Sequence, residues 1–257
     1  MKHALHAEWT KLRTASGSGL LVAAAVALTV AVSAAVAAGV TYTGGTGQDP
    51  AKISLSGIYL GQAVIAIFAV LAVGAEYSTG MIRTTLTAMP RRSMMLAAKA
   101  IVITAPVLAA GLLAVLASVL VGRVMLSGNG FTPAHGYPLL SLSRPSTLRA
   151  AGGSILYLAL IALLSLAIAV VLRDSATAIG VVLALLYLFP AVAAAVTNVH
   201  WYRHLQQIAP MTAGLAIQST VNVHQLPISP WAGLGVLACW ATGAMLVGAL
   251  ILQLRDA

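Results

Sequence analysis

Long apolar stretches separated by short charged segments dominate the chain. Each of six runs without Asp, Glu, Lys or Arg is at least as long as the roughly 20 residues that a helix needs to cross a bilayer. They are residues 14–48, 53–75, 100–122, 150–172, 175–202 and 204–254. Their residues do not alternate between apolar and polar, as the strands of a membrane β-barrel do. The pattern predicts an all-α polytopic membrane protein with six transmembrane helices.

The predicted spans divide one transmembrane domain, residues 1–257, into short connections. We place them at residues 19–40, 56–75, 97–121, 147–172, 176–196 and 230–252. Residues 1–14 form a leader, residues 76–92 an inner loop, and residues 197–229 an outer segment. Within this outer segment, residues 209–217 are apolar but too short to cross, which favours a re-entrant or interfacial helix.

Composition agrees with this architecture, and the charges predict its orientation. Hydrophobic residues make up 60% of the chain and charged residues 7%, with a net charge of +9. Placing both termini in the cytoplasm puts more basic residues inside than outside, as the positive-inside rule requires. The inner set is Lys2, Lys11, Arg13, Arg83, Arg91, Arg92, Lys99, Arg173 and Arg255, and the outer set is Lys52, Arg123, Arg144, Arg149 and Arg203. We predict a bacterial plasma-membrane protein.

No pattern of residues indicates catalysis, metal binding or nucleic-acid binding. His200 and His204 share a helical face and His224 follows, but no carboxylate or thiolate in that segment completes a metal site. The chain lacks the G-x-x-x-x-G-K-[ST] loop that cradles nucleotide phosphates. Aromatic residues are only 5% of the chain, too few for a base-stacking surface. We therefore expect no catalytic residue, metal or cofactor in this chain, and no nucleic-acid partner.

Two short segments at the inner side are amphipathic. In the leader, Leu5, Trp9 and Leu12 share one helical face, and Lys11 and Arg13 lie elsewhere, as in a helix at the membrane interface.

The inner loop also has the pattern of a short helix. Ser78 or Thr79 caps its start and Pro90 ends it. One side carries apolar or small residues at helical spacing: Met81, Ile82, Thr85, Leu86 and Met89. This side either rests on the inner leaflet, with Arg83, Arg91, Arg92 and Lys99 at lipid phosphates, or binds a protein. Glu76 either pairs with a cation such as Arg83, or with a neighbouring subunit, or snorkels to water.

Several of these residues resemble a known family. Glu76, Gly80, Pro90, Arg91 and Lys99, with the leader sequence of residues 7–13, are similar to permease subunits of ABC exporters of the second (type V) class, actinobacterial members in particular. The similarity extends over nearly the whole chain, including residues 172–175 and 229–233.

The resemblance implies a division of labour between subunits. The inner loop would be a coupling helix that docks on a separate ATP-binding subunit, and ATP and Mg would be bound by that partner. The implied docking residues are Glu76, Ser78, Thr79, Gly80, Met81, Ile82, Arg83, Thr85, Leu86, Met89, Pro90 and Arg91. The expected assembly is a homodimer with two ATP-binding subunits that exports a hydrophobic or amphipathic substrate such as a drug, lipid, peptide or antibiotic.

Three further features remain open at this point. Pro106 and Pro190 are candidate hinges, because proline removes a helical hydrogen bond. Small residues at every fourth position of the first span allow close approach of another helix: Ala23, Ala27, Ala31, Ala35 and Gly39. A secondary transporter or another non-ABC membrane protein is the alternative, although such a transporter normally carries an ionisable residue within a span.

Overall fold

The computed structural model describes residues 2–14, 17–44, 47–81 and 92–255. These residues contain helices and connections but no strand. The helices are α1 (Lys2–Thr14), α2 (Ser18–Gly39), α3 (Pro50–Ser54), α4 (Ile58–Ser78), α5 (Arg92–Gly128), α6 (Pro145–Leu172), α7 (Ser175–Leu183), α8 (Phe189–Ala194), α9 (Val199–Ile208), α10 (Pro210–Leu215) and α11 (Pro230–Arg255).

Six helical segments among the described residues are long and apolar enough to cross a membrane. They are α2, α4, α5, α6, α11 and a composite fifth segment, in which the π-helical residues Ala184–Leu188 join α7 to α8. This confirms the predicted all-α fold with six spans. Because successive spans alternate in direction, the bundle has two ends. We call the end with α1 and residues 172–175 the leader end, and the end with residues 40–57, 129–144 and 195–229 the far end.

The spans differ in how much of their surface the bundle covers. In α6, 61% of the most apolar window is buried, and in α4 56%. The corresponding fraction is 22% for α2, the fifth segment and α11. The helices α6 and α4 therefore form the centre of the bundle, and α2, the fifth segment and α11 have broad apolar faces that the bundle does not cover.

Glycine allows α2 and α4 to approach closely near the far end. A Cβ atom built on Gly57 would lie 1.8 Å from the backbone oxygen of Thr29, and one on Gly61 would lie 1.9 Å from the Thr29 hydroxyl. The Gly57 amide also donates to the hydroxyl of Ser33 at 3.0 Å. Thr29 and Ser33 belong to the buried stripe of α2, which runs through Ala25, Thr29, Ser33 and Ala37.

A buried polar contact connects α4, α6 and α10. The Tyr157 hydroxyl donates to the side-chain oxygen of Gln62, and the Gln62 amide donates to Met211 sulfur at 3.0 Å. Both Gln62 and Tyr157 are fully buried. This contact holds helix α10 inside the far end of the bundle. Helix α10 also packs closely against α11, because a Cβ atom built on Gly233 of α11 would lie 2.0 Å from the backbone oxygen of Ala213.

Asp49 joins two distant connections at the far end. One carboxylate oxygen accepts hydrogen bonds from the amides of Thr220 and Val221, and the other accepts one from the Thr220 hydroxyl at 2.6 Å. The second oxygen also accepts the amide of Lys52 and so caps α3. Asn129 adds a second tie, since its side-chain amide donates to the carbonyls of Ala37 and Val40 at the end of α2.

The elements differ from the predicted boundaries mainly in the third span and the outer segment. Helix α5 begins at Arg92 and continues to Gly128, so the predicted span 97–121 is its middle. The outer segment contains the exposed helix α9 and the buried α10, separated by an extended Ala209. Pro106 lies inside the uninterrupted α5, and Pro190 follows the π-helical turn.

The close approach at Gly57 generates a prediction about stability. Gly57→Ala should destabilise the fold by about 1–3 kcal/mol, because α2 or α4 must shift to admit the methyl group. Thermal unfolding in detergent would measure the loss. Gly235→Ala is the matched control, since nothing lies within 4 Å of its added Cβ. Equal stability of the two variants would contradict the described packing.

A buried charge cluster at the leader end

Four charged side chains from three helices meet at the leader end. Helix α1 contributes Glu8 and Lys11, the last turn of α4 contributes Glu76, and α5 contributes Lys99. Glu8, Glu76 and Lys99 are charged but only 5%, 4% and 2% exposed. Most of the neighbouring side chains, such as Leu12, Phe68 and Val102, are apolar. We refer to these four residues as the charge cluster.

Lys99 is the centre of the charge cluster. Its Nζ lies 2.6 Å from Glu76 Oε1 and 2.7 Å from Glu8 Oε2, so one ammonium joins α1, α4 and α5. Lys11 closes the ring, with its Nζ 2.9 Å from Glu8 Oε1 and 3.0 Å from Glu76 Oε1. Short charge-assisted hydrogen bonds of this kind fix the positions of their helices more strictly than apolar contacts do.

The charges of the cluster balance, which makes its burial tolerable. Two carboxylates face two ammonium groups, and each buried ion has an opposite charge within hydrogen-bond distance. Burial lowers the pKa of Lys11, but hydrogen bonds to Glu8 and Glu76 and the charges of those carboxylates raise it more, so this pKa lies above that of a free lysine. Lys11 is therefore protonated at neutral pH.

The charge cluster borders the inner loop. A cavity of about 310 Å³ is lined by all four of its residues and by Met81, the last described residue before the gap at 82–91. The second oxygen of Glu76, Oε2, is buried without a hydrogen-bond partner among the described residues. The cluster thus shares a cavity with Met81, and Glu76 itself belongs to the inner loop that the sequence pattern defines.

The last turn of α4 differs from the predicted start of an inner helix. Ser78 ends α4, and the Thr79 hydroxyl donates back to the carbonyl of Ala75 at 2.7 Å. Gly80 then adopts a φ of +70°, the left-handed conformation with which glycine commonly ends a helix. Of the other predicted docking residues, Met81 is 44% exposed. The remaining ones lie outside the described residues: Ile82, Arg83, Thr85, Leu86, Met89, Pro90 and Arg91.

The structure distinguishes between the alternatives that the sequence left open for Glu76 and Lys99, and Glu76 does pair with cations. Lys99 is buried against two carboxylates, which does not fit the alternative that placed it at lipid phosphates. The described partners of Glu76 are Lys99 and Lys11, and its carboxylate does not snorkel to water. In the leader, Leu12 packs against the core but Trp9 is 42% exposed. The most buried described residue of α1 is Glu8, which the apolar spacing did not reveal.

Two other residues shape the leader end at the turn between α6 and α7. Asp174 caps α7 by accepting the Thr177 amide at 2.7 Å, and this hydrogen bond lowers the pKa of the exposed carboxyl. Arg173 lies over the ring of Tyr77, with 5.9 Å between the guanidinium carbon and the ring centroid. The end of α4 is thus held by this turn as well as by the charge cluster.

The histidines lie at the far end, away from the charge cluster. His200 and His204 are neighbours on α9, with 4.5 Å between ring centroids. Within the described ranges, no group of three His, Cys, Asp or Glu side chains has the arrangement of a metal site.

Comparison with known families decides the class of protein. Residues 4–191, which include the charge cluster and the inner loop, match the sequence model of the family described as ABC-2 family transporter protein. The chain belongs to the ABC-2 transporter family. It is a multi-pass membrane permease, the transport subunit of an ABC transporter. A comparison with curated proteins finds no match.

Removing the central cation of this ABC-2 permease should destabilise it strongly. Lys99→Met leaves the two buried carboxylates with Lys11 as the remaining ammonium of the cluster, so one buried negative charge is no longer balanced. We expect a loss of about 3–5 kcal/mol in unfolding free energy, measured by thermal unfolding in detergent. Adding Glu8→Gln and Glu76→Gln removes the stranded charges and should recover most of the loss. Arg123→Gln, at an exposed cation of the far end, is the control. A Lys99→Met variant as stable as this control would contradict the assignment.

Proposed function

We propose that this ABC-2 permease is the membrane subunit of an ATP-driven exporter, and that residues 76–91 form its docking surface for a separate ATP-binding subunit. ATP and Mg bind in that partner. The closing and reopening of two ATP-binding subunits then moves the attached spans between alternative arrangements. The observation that carries this proposal is the charge cluster, because it joins the ends of two spans and the leader beside the loop.

The geometry of the charge cluster favours transmission of movement. A force applied to the inner loop acts on the last turn of α4 on one side and on the start of α5 on the other. Lys99 joins these two helices through Glu76, and through Glu8 it adds α1. The ends of α1, α4 and α5 should therefore move together when the inner loop moves. If these helices contacted only lipid, each of them could move separately.

The distribution of charge supports an orientation with the leader end in the cytoplasm. The far end carries five basic residues against nine at the leader end, as the positive-inside rule favours. Docking on a soluble ATP-binding subunit requires the same orientation. We place both termini on the cytoplasmic side of a bacterial plasma membrane.

A second copy of the permease is part of the proposed assembly. The small residues of α2 that could admit another helix are all exposed: Ala23, Ala27, Ala31, Ala35 and Gly39. The neighbouring stripe of the same helix is buried inside the bundle, so the exposed one is left for a contact outside it. Two permeases and two ATP-binding subunits would give the homodimeric exporter implied by the family resemblance.

The cavity lined by residues such as Ile168, Val171 and Trp240 has a mostly apolar wall, which supports a hydrophobic or amphipathic substrate. Outward transport is what the family resemblance implies. A drug, lipid, peptide or antibiotic would fit this description. The family match removes the secondary-transporter alternative, because ABC-2 permeases depend on an ATP-binding partner.

Docking is tested by placing charge on the proposed surface. The variant Met81→Asp, Ile82→Asp, Leu86→Asp should insert normally but no longer bind the ATP-binding subunit, since an unpaired carboxylate is costly in a buried interface. Co-purification of the two tagged subunits measures the complex. We expect at least a tenfold loss, which is about 1.4 kcal/mol of binding free energy.

The control carries the same three negative charges at the far end. Ala134→Asp, Leu139→Asp, Ser143→Asp changes exposed residues of the connection between α5 and α6. It should retain the partner. If the inner-loop variant co-purifies as well as this control, the docking surface lies elsewhere.

A further inference from the structure

A large cavity opens at the far end, on the opposite side of the permease from the charge cluster. Its volume is about 740 Å³, within the range of small-molecule sites. The walls come from α2, from residues 52–60, which include parts of α3 and α4, and from residues 206–228. Most of the lining is apolar, and it includes Val32, Leu60, Met211 and Leu215.

Several polar groups on the walls already have partners. The Thr212 hydroxyl donates to the carbonyl of Gln206 at 2.9 Å, and the Gln218 amide donates to the Ser154 hydroxyl at 3.3 Å. The carbonyl of Ser219 accepts a hydrogen bond from the Arg149 guanidinium at 2.5 Å. These groups shape the cavity and are not available to orient a ligand without breaking a contact.

Two polar groups on the same wall have no partner among the described residues. The Lys52 side chain is exposed and forms no ion pair or side-chain hydrogen bond there. One turn later, the Ser56 hydroxyl is buried without a hydrogen-bond partner. An ammonium and a hydroxyl next to an apolar chamber can together hold an anionic group whose attached chain enters the chamber.

The surrounding charge favours an anion at this position. The described residues of the far end include one carboxylate, Asp49, whose oxygens already accept the bonds of Thr220, Val221 and the Lys52 amide. The same end carries five basic residues, which are Lys52, Arg123, Arg144, Arg149 and Arg203. An anion at Lys52 therefore meets a net positive field, with little competition from a protein carboxylate.

From these contacts we infer that the far-end cavity binds an amphiphile with an anionic headgroup. Lys52 and Ser56 hold the phosphate or carboxylate at the rim, and the acyl or other apolar chain lies against Val32, Leu60 and Leu215. This binding site goes beyond the proposed docking function and is measured on the permease without its ATP-binding subunit. Its failure and the failure of docking are therefore separate results.

The test uses purified permease with equal amounts of phosphatidylglycerol and phosphatidylcholine of identical acyl chains. Native mass spectrometry then counts each lipid retained on the protein. One lysine near an anionic headgroup contributes about a fivefold preference, so the wild type should retain phosphatidylglycerol about fivefold over phosphatidylcholine. Equal retention of the two lipids by the wild type would overturn the proposal.

Single substitutions test which residues cause the preference for phosphatidylglycerol. Lys52→Gln should abolish it and Lys52→Arg should keep it, whereas Arg123→Gln, which changes an exposed cation off the cavity, should leave it unchanged. Leu60→Trp should lower retention of both lipids by filling the chamber. The proposal fails if the preference survives Lys52→Gln, if Arg123→Gln removes it equally, or if Leu60→Trp has no effect.

A further arm separates an amphiphile from a free anion. Inorganic phosphate at millimolar concentration shares the headgroup chemistry but lacks the chain. It should leave phosphatidylglycerol bound, since the apolar chamber contributes most of the contact. If phosphate displaced the lipid, the site would bind a free anion, and the proposal of an amphiphile would be wrong.

Discussion

Two carboxylates and two ammonium groups share one buried site at the leader end, and this constraint fixes how three helices meet. A lone buried ion would be strongly destabilising, so each of these charges depends on the others being in place. Lys99 contacts both Glu8 and Glu76 at less than 3 Å, so a displacement of α1, α4 or α5 relative to the other two strains or breaks one of these ion pairs. The charge cluster therefore acts as a rigid joint in an otherwise apolar bundle. The cluster shares a cavity with Met81, the last described residue before the inner loop that we propose as the docking surface.

The far end is held together by a different kind of contact. Asp49 and Asn129 bind backbone amides and carbonyls of distant connections, and Gln62 with Tyr157 seats α10 inside the bundle. Each of these hydrogen bonds is made by an individual side chain, whereas the charge cluster consists of four ions that pair with one another. The two ends thus differ in chemistry, with a rigid ionic joint where movement would enter and a hydrogen-bonded cap around a cavity where a ligand would bind. The π-helical turn before Pro190 lies between these ends, and the hinge role predicted for Pro106 and Pro190 stays a prediction.

The spans could be predicted from sequence because hydrocarbon imposes length and composition on every crossing helix. The ion pairs within the charge cluster could not be predicted from the sequence. Glu8 stands three residues before Lys11 and has the pattern of an ordinary surface pair, and Lys99 has the pattern of a basic residue that marks the inner side. Their burial depends on contacts separated by 91 and 23 residues along the chain, which local spacing does not encode. A clue was present, since the chain has only five acidic residues and three of them, Glu8, Glu76 and Asp174, lie at the end that carries most of the basic residues. The contact between Asp49 and Thr220, 171 residues apart, was hidden for the same reason.

Hydrogen–deuterium exchange of the permease with and without its ATP-binding subunit tests most directly whether the charge cluster connects the loop to the leader. In the wild type, adding the partner should slow exchange in peptides covering residues 79–92 and also in residues 2–14. In Lys99→Met, studied below its unfolding temperature, the loop should still be protected by the partner while the leader no longer responds. A leader that responds equally in both proteins would show that the charge cluster does not connect them.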